Sequence, residues 1–474
     1  MFDFNNATGL YTDYYELTMA QGYFMNNRKN VSAGFDYFFR KMPFNGGYVI
    51  FSGLYDVLQQ LKEFRYTSDD CQYLLSAGFN EKFVEYLNDF HFNAEVYACR
   101  EGEIVFPNEP VLRVRGNIIE SQIVETIILN MLNFQSLIAT KASRIRQVAG
   151  ERLFIDFGLR RAQGFGGLHA SKAAVAGGAD STSNVYTARH FGIKASGTQA
   201  HSWIQSYDNE LDAFRAFANN FPENTILLVD TYNTLKSGIP NAIKVAKEME
   251  QKGNKLKGIR LDSGDLAYLS KKARKMLNEA GLYYVKITVS NQLDEYVIKS
   301  LIDQGAPIDA FGVGTRLITA KDDPALDGVY KLSMSNDLPQ MKFSENVEKM
   351  SLPGLKKVFR YYDEHDLFYA DGILLEDEVE TGRIYHPYQT DKSLDVQGLK
   401  KEGLMYKVMS ENQILTENHS TAEIKEFIKE RLAKLPDEHK RFENPHLYKV
   451  GISKKLLELR KQKIRKIKNM NHLN

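Results

Sequence analysis

The sequence predicts an α/β fold: an irregular, TIM-like α/β barrel, plus an N-terminal α/β sandwich domain that the C-terminal region completes. Three observations lead there. From about residue 150, short apolar runs rich in β-formers (Arg152 to Asp156, Ile226 to Asp230, Gly258 to Asp262, Val285 to Ser290, Ile308 to Gly312) fit buried parallel strands. Most are followed by stretches with apolar residues at helical spacing, as in Ala242-Ile243-Val245-Ala246-Met249 and Leu266-Leu269-Ala273-Met276-Leu277. Charged and small polar residues gather at the carboxyl ends of the strands, where α/β barrels and open α/β sheets carry their chemistry.

A chain of 474 residues exceeds what one compact core usually supplies, so more than one domain is expected. Residues 1–140 mix strands and helices and are rich in aromatics, as in Phe35-Asp36-Tyr37-Phe38-Phe39 and Gly46-Gly47-Tyr48-Val49-Ile50-Phe51, which suits the sandwich domain. Within them, the apolar stretch Ile118 to Phe134 is interrupted by Glu120 and Glu125, and it reads as a core helix and not a membrane span. Residues 141–335 are the barrel. Residues 336–474 are more polar; in Met350 to Arg360 the Pro353-Gly354 pair reads as a turn leading to a strand that packs back on the N-terminal domain. The chain then reaches a basic amphipathic helix, Lys454 to Lys468, docked through Leu456, Leu459 and Ile464; the competing reading is a nucleic-acid or anionic-lipid contact.

With 61 basic and 60 acidic residues, the charge balance implies no global attraction to nucleic acid or to a membrane, so any phosphate binding must be local. The two cysteines, Cys71 and Cys99, lie far apart without metal-type spacing, and Met1-Phe2-Asp3-Phe4-Asn5 opens without a basic or long apolar leader. A reducing cytoplasm is the expected address. No internal repeat or low-complexity tract is present.

The strand-end residues suggest a site for phosphate esters. Gly197-Thr198-Gln199-Ala200-His201-Ser202-Trp203 stands between Asp156-Phe157-Gly158-Leu159-Arg160-Arg161 and Arg260-Leu261-Asp262-Ser263-Gly264-Asp265. An arginine fork matches carboxylate or phosphate; the plainer alternative pairs Arg160 with Asp156 and Arg260 with Asp262. Thr198 is expected to cap the following helix, to meet an anion, or both. In Gly312-Val313-Gly314-Thr315, small residues let backbone amides approach phosphate oxygens, although two glycines at that spacing also make an ordinary turn. A lone histidine such as His201 is more often structural than catalytic, yet neutral imidazole can accept a phosphoryl group.

Taken together and in order, Thr12-Asp13-Tyr14-Tyr15-Glu16-Leu17-Thr18-Met19, Asp156 to Arg161, Gly178-Ala179-Asp180-Ser181-Thr182-Ser183-Asn184, the His201 segment, Val229-Asp230-Thr231-Tyr232, Arg260 to Asp265 and Gly312 to Thr315 resemble the nicotinate phosphoribosyltransferase family, of the type II phosphoribosyltransferase fold. The resemblance implies transfer of phosphoribosyl from phosphoribosyl pyrophosphate to nicotinate, giving nicotinate mononucleotide and pyrophosphate as the entry step to NAD from nicotinate. It implies that Tyr15 and Phe157 sandwich the pyridine ring, that Arg160, Arg260 and Thr198 meet its carboxylate or nearby phosphate, and that Asp262 and Asp265 with Ser263 and Gly264, and Asp230 nearby, face the phosphoribosyl group or Mg²⁺ waters. Gly312, Gly314 and Thr315 would hold phosphate, and His201 would be phosphorylated by ATP, coupling ATP hydrolysis to synthesis. No protein metal cage is written in the sequence. Asp180 is expected to act behind the substrate contacts or as a cap, because a carboxylate beside that of nicotinate would repel it. A homodimer is implied, with Tyr15 serving the partner subunit's site. Nicotinamide phosphoribosyltransferase is the nearest rival and a non-enzymatic phosphosugar- or nucleic-acid-binding protein the third reading; a homologous inactive scaffold would be expected to have lost one of His201, Arg260, Asp262 or the Gly312 to Thr315 loop, and all are present.

Overall fold

The computed structural model describes residues 9–344 and 350–471; the reading of Met1 to Asn5 lies outside them. The chain divides into two compact units: Met1–Leu137 with Ala325–His419 and Glu426–Asn474, and Ile138–Pro324 with Ser420–Lys425.

In the second unit the five expected strands form at Leu153–Asp156, Ile226–Leu228, Gly258–Leu261, Lys286–Ser290 and Ala310–Val313, and a sixth, short strand, Ser181–Thr182, joins them. They make a six-stranded sheet in the spatial order Ser181–Thr182, Leu153–Asp156, Ala310–Val313, Lys286–Ser290, Gly258–Leu261, Ile226–Leu228, with every pairing parallel. Phe154, Leu227, Leu228, Ile259, Leu261, Ile287, Val289, Phe311 and Val313 are buried, each contributing about 1.5–3 kcal/mol by leaving water. The helices between strands bury the predicted faces: Ile239–Gln251 covers Ala242, Val245, Ala246 and Met249, and Leu266–Glu279, capped by Asp265, covers Ala273 and Leu277.

One expectation needs correction: the sheet does not close into a barrel. Ser181–Thr182 and Ile226–Leu228 are its two open edges. Residues 194–199 fill the gap without becoming a strand. They make a bridge, Thr182 with Ala195, on one side, and side-chain hydrogen bonds on the other: Gln199 Nε2 to the Ile226 carbonyl at 3.2 Å, and Arg260 to Thr198 and to the Gln199 carbonyl. The physical reason is local: Gly197 and the turn into helix His201–Gln205 follow the bridge at once, leaving no room for a ladder.

The first unit holds a seven-stranded antiparallel sheet, in which Ser32–Phe39 lies between Gly328–Ser335 and Leu112–Asn117, and a six-stranded mixed sheet containing Lys356–Tyr362 and Phe368–Leu375. The Pro353-Gly354 turn (Gly354 φ +81°) delivers Lys356, whose buried ammonium meets Asp36 at 2.7 Å. Burial alone would raise the Asp36 pKa, but Lys356 and Arg113 outweigh it and hold the carboxyl below its usual range. The basic helix Lys454–Asn471 buries Leu456, Leu457 and Arg460, with Leu459 and Ile464 partly covered, in keeping with docking. The stretch Ile118–Ala149 is long and apolar enough to cross a membrane, but 67% of its most apolar window is buried and it carries buried Lys141 and Arg144. It is a core helix.

Candidate active site

The parallel register brings the carboxyl ends level. Asp156 lies opposite Val313 and Thr182, Gly312 opposite Ser290, and Arg260 opposite Thr288 and Leu228. Asp156 spends its carboxylate on Thr182 Oγ1 (2.7 Å) and the Gly158 amide (2.8 Å), and burial raises its pKa. It does not pair with Arg160, which is exposed. Phe157 follows, its amide bonded to the Val313 carbonyl at 2.8 Å, and its ring lies where a side chain on Gly312 would have to go: a Cβ there would come within 2.4 Å of the ring. Gly312 is therefore glycine to seat Phe157. Gly264 is glycine for its backbone, with φ +76°.

Arg260 is the centre of the arrangement. Its Nη1 donates to Thr198 Oγ1 at 2.5 Å and to the Gln199 carbonyl at 3.2 Å, and its guanidinium carbon stands 5.8 Å from the Phe157 ring centroid. Nη2 is 3.8 Å from Asp262, beyond hydrogen-bond reach, and the buried Nε has no partner. The Nε/Nη2 edge, the side that grips a carboxylate with two parallel bonds, is thus unfilled. Thr198 is committed to Arg260 and does not cap: the helix His201–Gln205 starts at Ala200 with no side-chain cap.

His201 lies 37% exposed at the start of that helix, its Nδ1 3.0 Å from Thr231 Oγ1 and its Nε2 3.8 Å from Asp262 Oδ2. Asp230 accepts from the Asp262 amide and Ser263 Oγ, both at 2.7 Å, through Oδ2; its buried Oδ1 has no partner. Ser290 Oγ donates to Asp262 Oδ1. Asp265 caps the next helix through the Tyr268 amide at 2.9 Å. The loop Gly312 to Thr315 opens into the short helix Thr315–Ile318. Phe157, Thr198, His201, Asp230, Arg260, Asp262 and Ser263 are therefore linked by direct contacts. Among the described residues no group of three or more His, Cys, Asp or Glu side chains is arranged to hold a metal ion.

Sequence profiles of the nicotinate phosphoribosyltransferase N-terminal domain, family and C-terminal domain match residues 10–133, 153–337 and 355–460. The chain is 41% identical over 477 residues to the nicotinate phosphoribosyltransferase of Bacillus subtilis (strain 168), covering 98% of this chain and 97% of that one. The chain belongs to the nicotinate phosphoribosyltransferase family. Its fold matches the crystal structure of human nicotinic acid phosphoribosyltransferase with a TM-score of 0.85 at 30% identity, covering 94% of this chain and 99% of that one. It also matches a nicotinate-nucleotide pyrophosphorylase from Pyrococcus furiosus, with a TM-score of 0.72 at 26% identity over 90% and 95% of the two chains.

As a nicotinate phosphoribosyltransferase family member the chain is an enzyme, and two of its residues merit separate placement. Tyr15 lies in the first unit, on the helix Tyr14–Met25, 46% exposed; partial burial and then Glu125 raise its pKa. Asp180 is not a cap. It precedes the Ser181–Thr182 strand at the amino edge of the sheet, opposite the site, and accepts from the Phe154 amide (2.9 Å), Lys425 (3.0 Å) and Arg146. Burial opposes its charge, but these partners win and lower its pKa. A depressed carboxyl stabilises the fold above its unfolded pKa, near 4, and that contribution is lost as pH falls through the folded value. Asp180→Asn is expected to cost about 2 kcal/mol in urea unfolding at pH 7, less at pH 3, and to leave the nicotinate KM within about twofold. A large KM change would put Asp180 in the site after all.

Sequence reasoning assigned no role to Thr231 or Ser290. Thr231 directly follows Asp230, and Ser290 ends a predicted strand; position at a strand end was the available signal for both.

Proposed function

We propose that the chain transfers the phosphoribosyl group of phosphoribosyl pyrophosphate to nicotinate. The observation that carries this reading is the unfilled Nε/Nη2 edge of Arg260 beside Phe157. A planar aromatic carboxylate would lay its ring on Phe157 and its two oxygens on that edge. Nicotinamide would bring one acceptor oxygen and an amide NH₂ that faces donors, leaving one contact unmade. Arg160, exposed nearby, adds positive charge for the anionic substrates, and Tyr15 of the partner subunit in a homodimer would cover the ring's other face.

With the ring held, its nitrogen attacks the anomeric carbon; the bond to pyrophosphate breaks, and the electron pair leaves on pyrophosphate. Gly312, Gly314 and Thr315 receive the sugar phosphate, while Asp230, Asp262, Ser263 and Gly264 face the ribose and pyrophosphate. The free Oδ1 of Asp230 beside Asp262 suits an ion that keeps water and substrate oxygens as ligands, as Mg²⁺ does. Bound there, Mg²⁺ would offset the charge of the departing pyrophosphate. A ring nitrogen of His201, oriented by Thr231, attacks the γ-phosphorus of ATP, ADP leaves with the bonding pair, and water later releases phosphate from the imidazole. This couples ATP hydrolysis to synthesis of nicotinate mononucleotide for NAD. The buried, unpaired thiols Cys71 and Cys99 suit a reducing cytoplasm.

The test is product formation from phosphoribosyl pyrophosphate and Mg²⁺ with nicotinate or nicotinamide, with and without ATP. Nicotinate mononucleotide formed faster with ATP is the expected result; turnover of nicotinamide alone would transfer the chain to the rival activity.

A further inference from the structure

We propose that Asp294 is a positioning residue for the phosphate loop, acting through Arg316; this rests on the reading of Gly312 to Thr315 as that loop. The strand Lys286–Ser290 lies between Gly258–Leu261 and Ala310–Val313, so its carboxyl end neighbours both the Asp262 side of the site and the Gly312 side. At that end Ser290 Oγ donates to Asp262.

The backbone then turns through two consecutive left-handed residues that are not glycine, Asn291 (φ +95°) and Gln292 (φ +48°). Such conformations persist where the surroundings over-determine them, and they cluster at ligand-binding sites. The turn delivers Asp294, buried, to the start of helix Glu295–Asp303. One carboxylate oxygen accepts from the Val297 amide at 2.8 Å; the other accepts from Arg316 Nη1. Arg316 directly follows Thr315.

The next residue anchors the device from the core. Glu295 is fully buried between Lys141 at 2.9 Å and Arg144 at 2.8 Å, both on the long helix Glu125–Ala149. A loop that opens into a four-residue helix has little stiffness of its own. Ser290 to Asp294 therefore forms a strut that fixes the spacing between Asp262, which faces the ribose and pyrophosphate, and the loop that takes the phosphate.

Asp294→Asn tests this, because an asparagine oxygen still caps the Val297 amide while the charge facing Arg316 is removed. The KM for phosphoribosyl pyrophosphate is expected to rise about tenfold, with the nicotinate KM within twofold. Arg316→Gln should match it, and the double variant should be no worse than either single one, since both remove one interaction. An unchanged phosphoribosyl pyrophosphate KM, additive effects, or both KM values rising together with loss of the folded state would overturn the proposal. Thr315→Ala separates the two levels: if it too leaves phosphoribosyl pyrophosphate binding unchanged, the loop assignment fails; if it weakens binding and Asp294→Asn does not, only the positioning role fails.

Discussion

Arg260→Lys is expected to lower kcat/KM for nicotinate by about 10²–10³-fold, a loss of about 3–4 kcal/mol, with most of the change in the nicotinate KM. A lysine keeps the charge but has no planar edge, so it cannot make two parallel bonds to a carboxylate. It also cannot reach Thr198 Oγ1 and the Gln199 carbonyl while facing the ring, as Nη1 does now. Those two acceptors would lose their partner, and the segment carrying Thr198 would lose a tie to the sheet. Discrimination against nicotinamide should narrow at the same time, because it depends on the same edge. Initial-rate kinetics with both bases measures each effect, and a lysine variant with wild-type nicotinate KM would remove Arg260 from the base pocket.

His201→Ala is expected to abolish ADP formation and the whole ATP stimulation of nicotinate mononucleotide synthesis, while leaving slow, ATP-independent turnover. The residues proposed to face the base and the sugar do not include the imidazole, whose contacts are Thr231 at 3.0 Å and Asp262 at 3.8 Å. On the proposed mechanism, removing it takes away the phosphoryl acceptor and spares the transfer chemistry. Since about 1.4 kcal/mol shifts an equilibrium tenfold, the variant should also stop far short of the wild-type product level when nicotinate is scarce. Continued ADP release in the alanine variant would rule out His201 as the acceptor.

Much of this site could be read from the chain because its parts sit at strand ends. The five predicted runs coincide with observed strands to within two residues, and a parallel register then brings Phe157, Arg260, Asp262 and Gly312 to one edge without further information. What could not be read depends on the third dimension. Asp180 shares a motif with strand residues but precedes its strand, so its side chain lies at the far edge with Arg146 and Lys425; the sequence offers no sign of a lysine more than two hundred residues away. Thr198 precedes a helix, as a cap should, yet two residues separate it from the first turn and Arg260 claims its hydroxyl. The pairing of Asp294 with Arg316 spans twenty-two residues with no periodic signal. The open sheet was missed for a similar reason: alternating strands and helices specify a parallel sheet, while closure depends on whether one further segment acquires a ladder.

That segment, residues 194–199, has a consequence for how the family can change. A wall element held by one bridge on one side and by side chains on the other can gain, lose or exchange residues beyond that bridge without forcing neighbouring strands to slip. If Thr198 faces the base as proposed, this segment can change around new ring substituents while Phe157, Arg260 and Gly312, held by strands locked in register, stay as they are. Directed evolution for altered pyridine substrates should find its tolerated substitutions and insertions concentrated there.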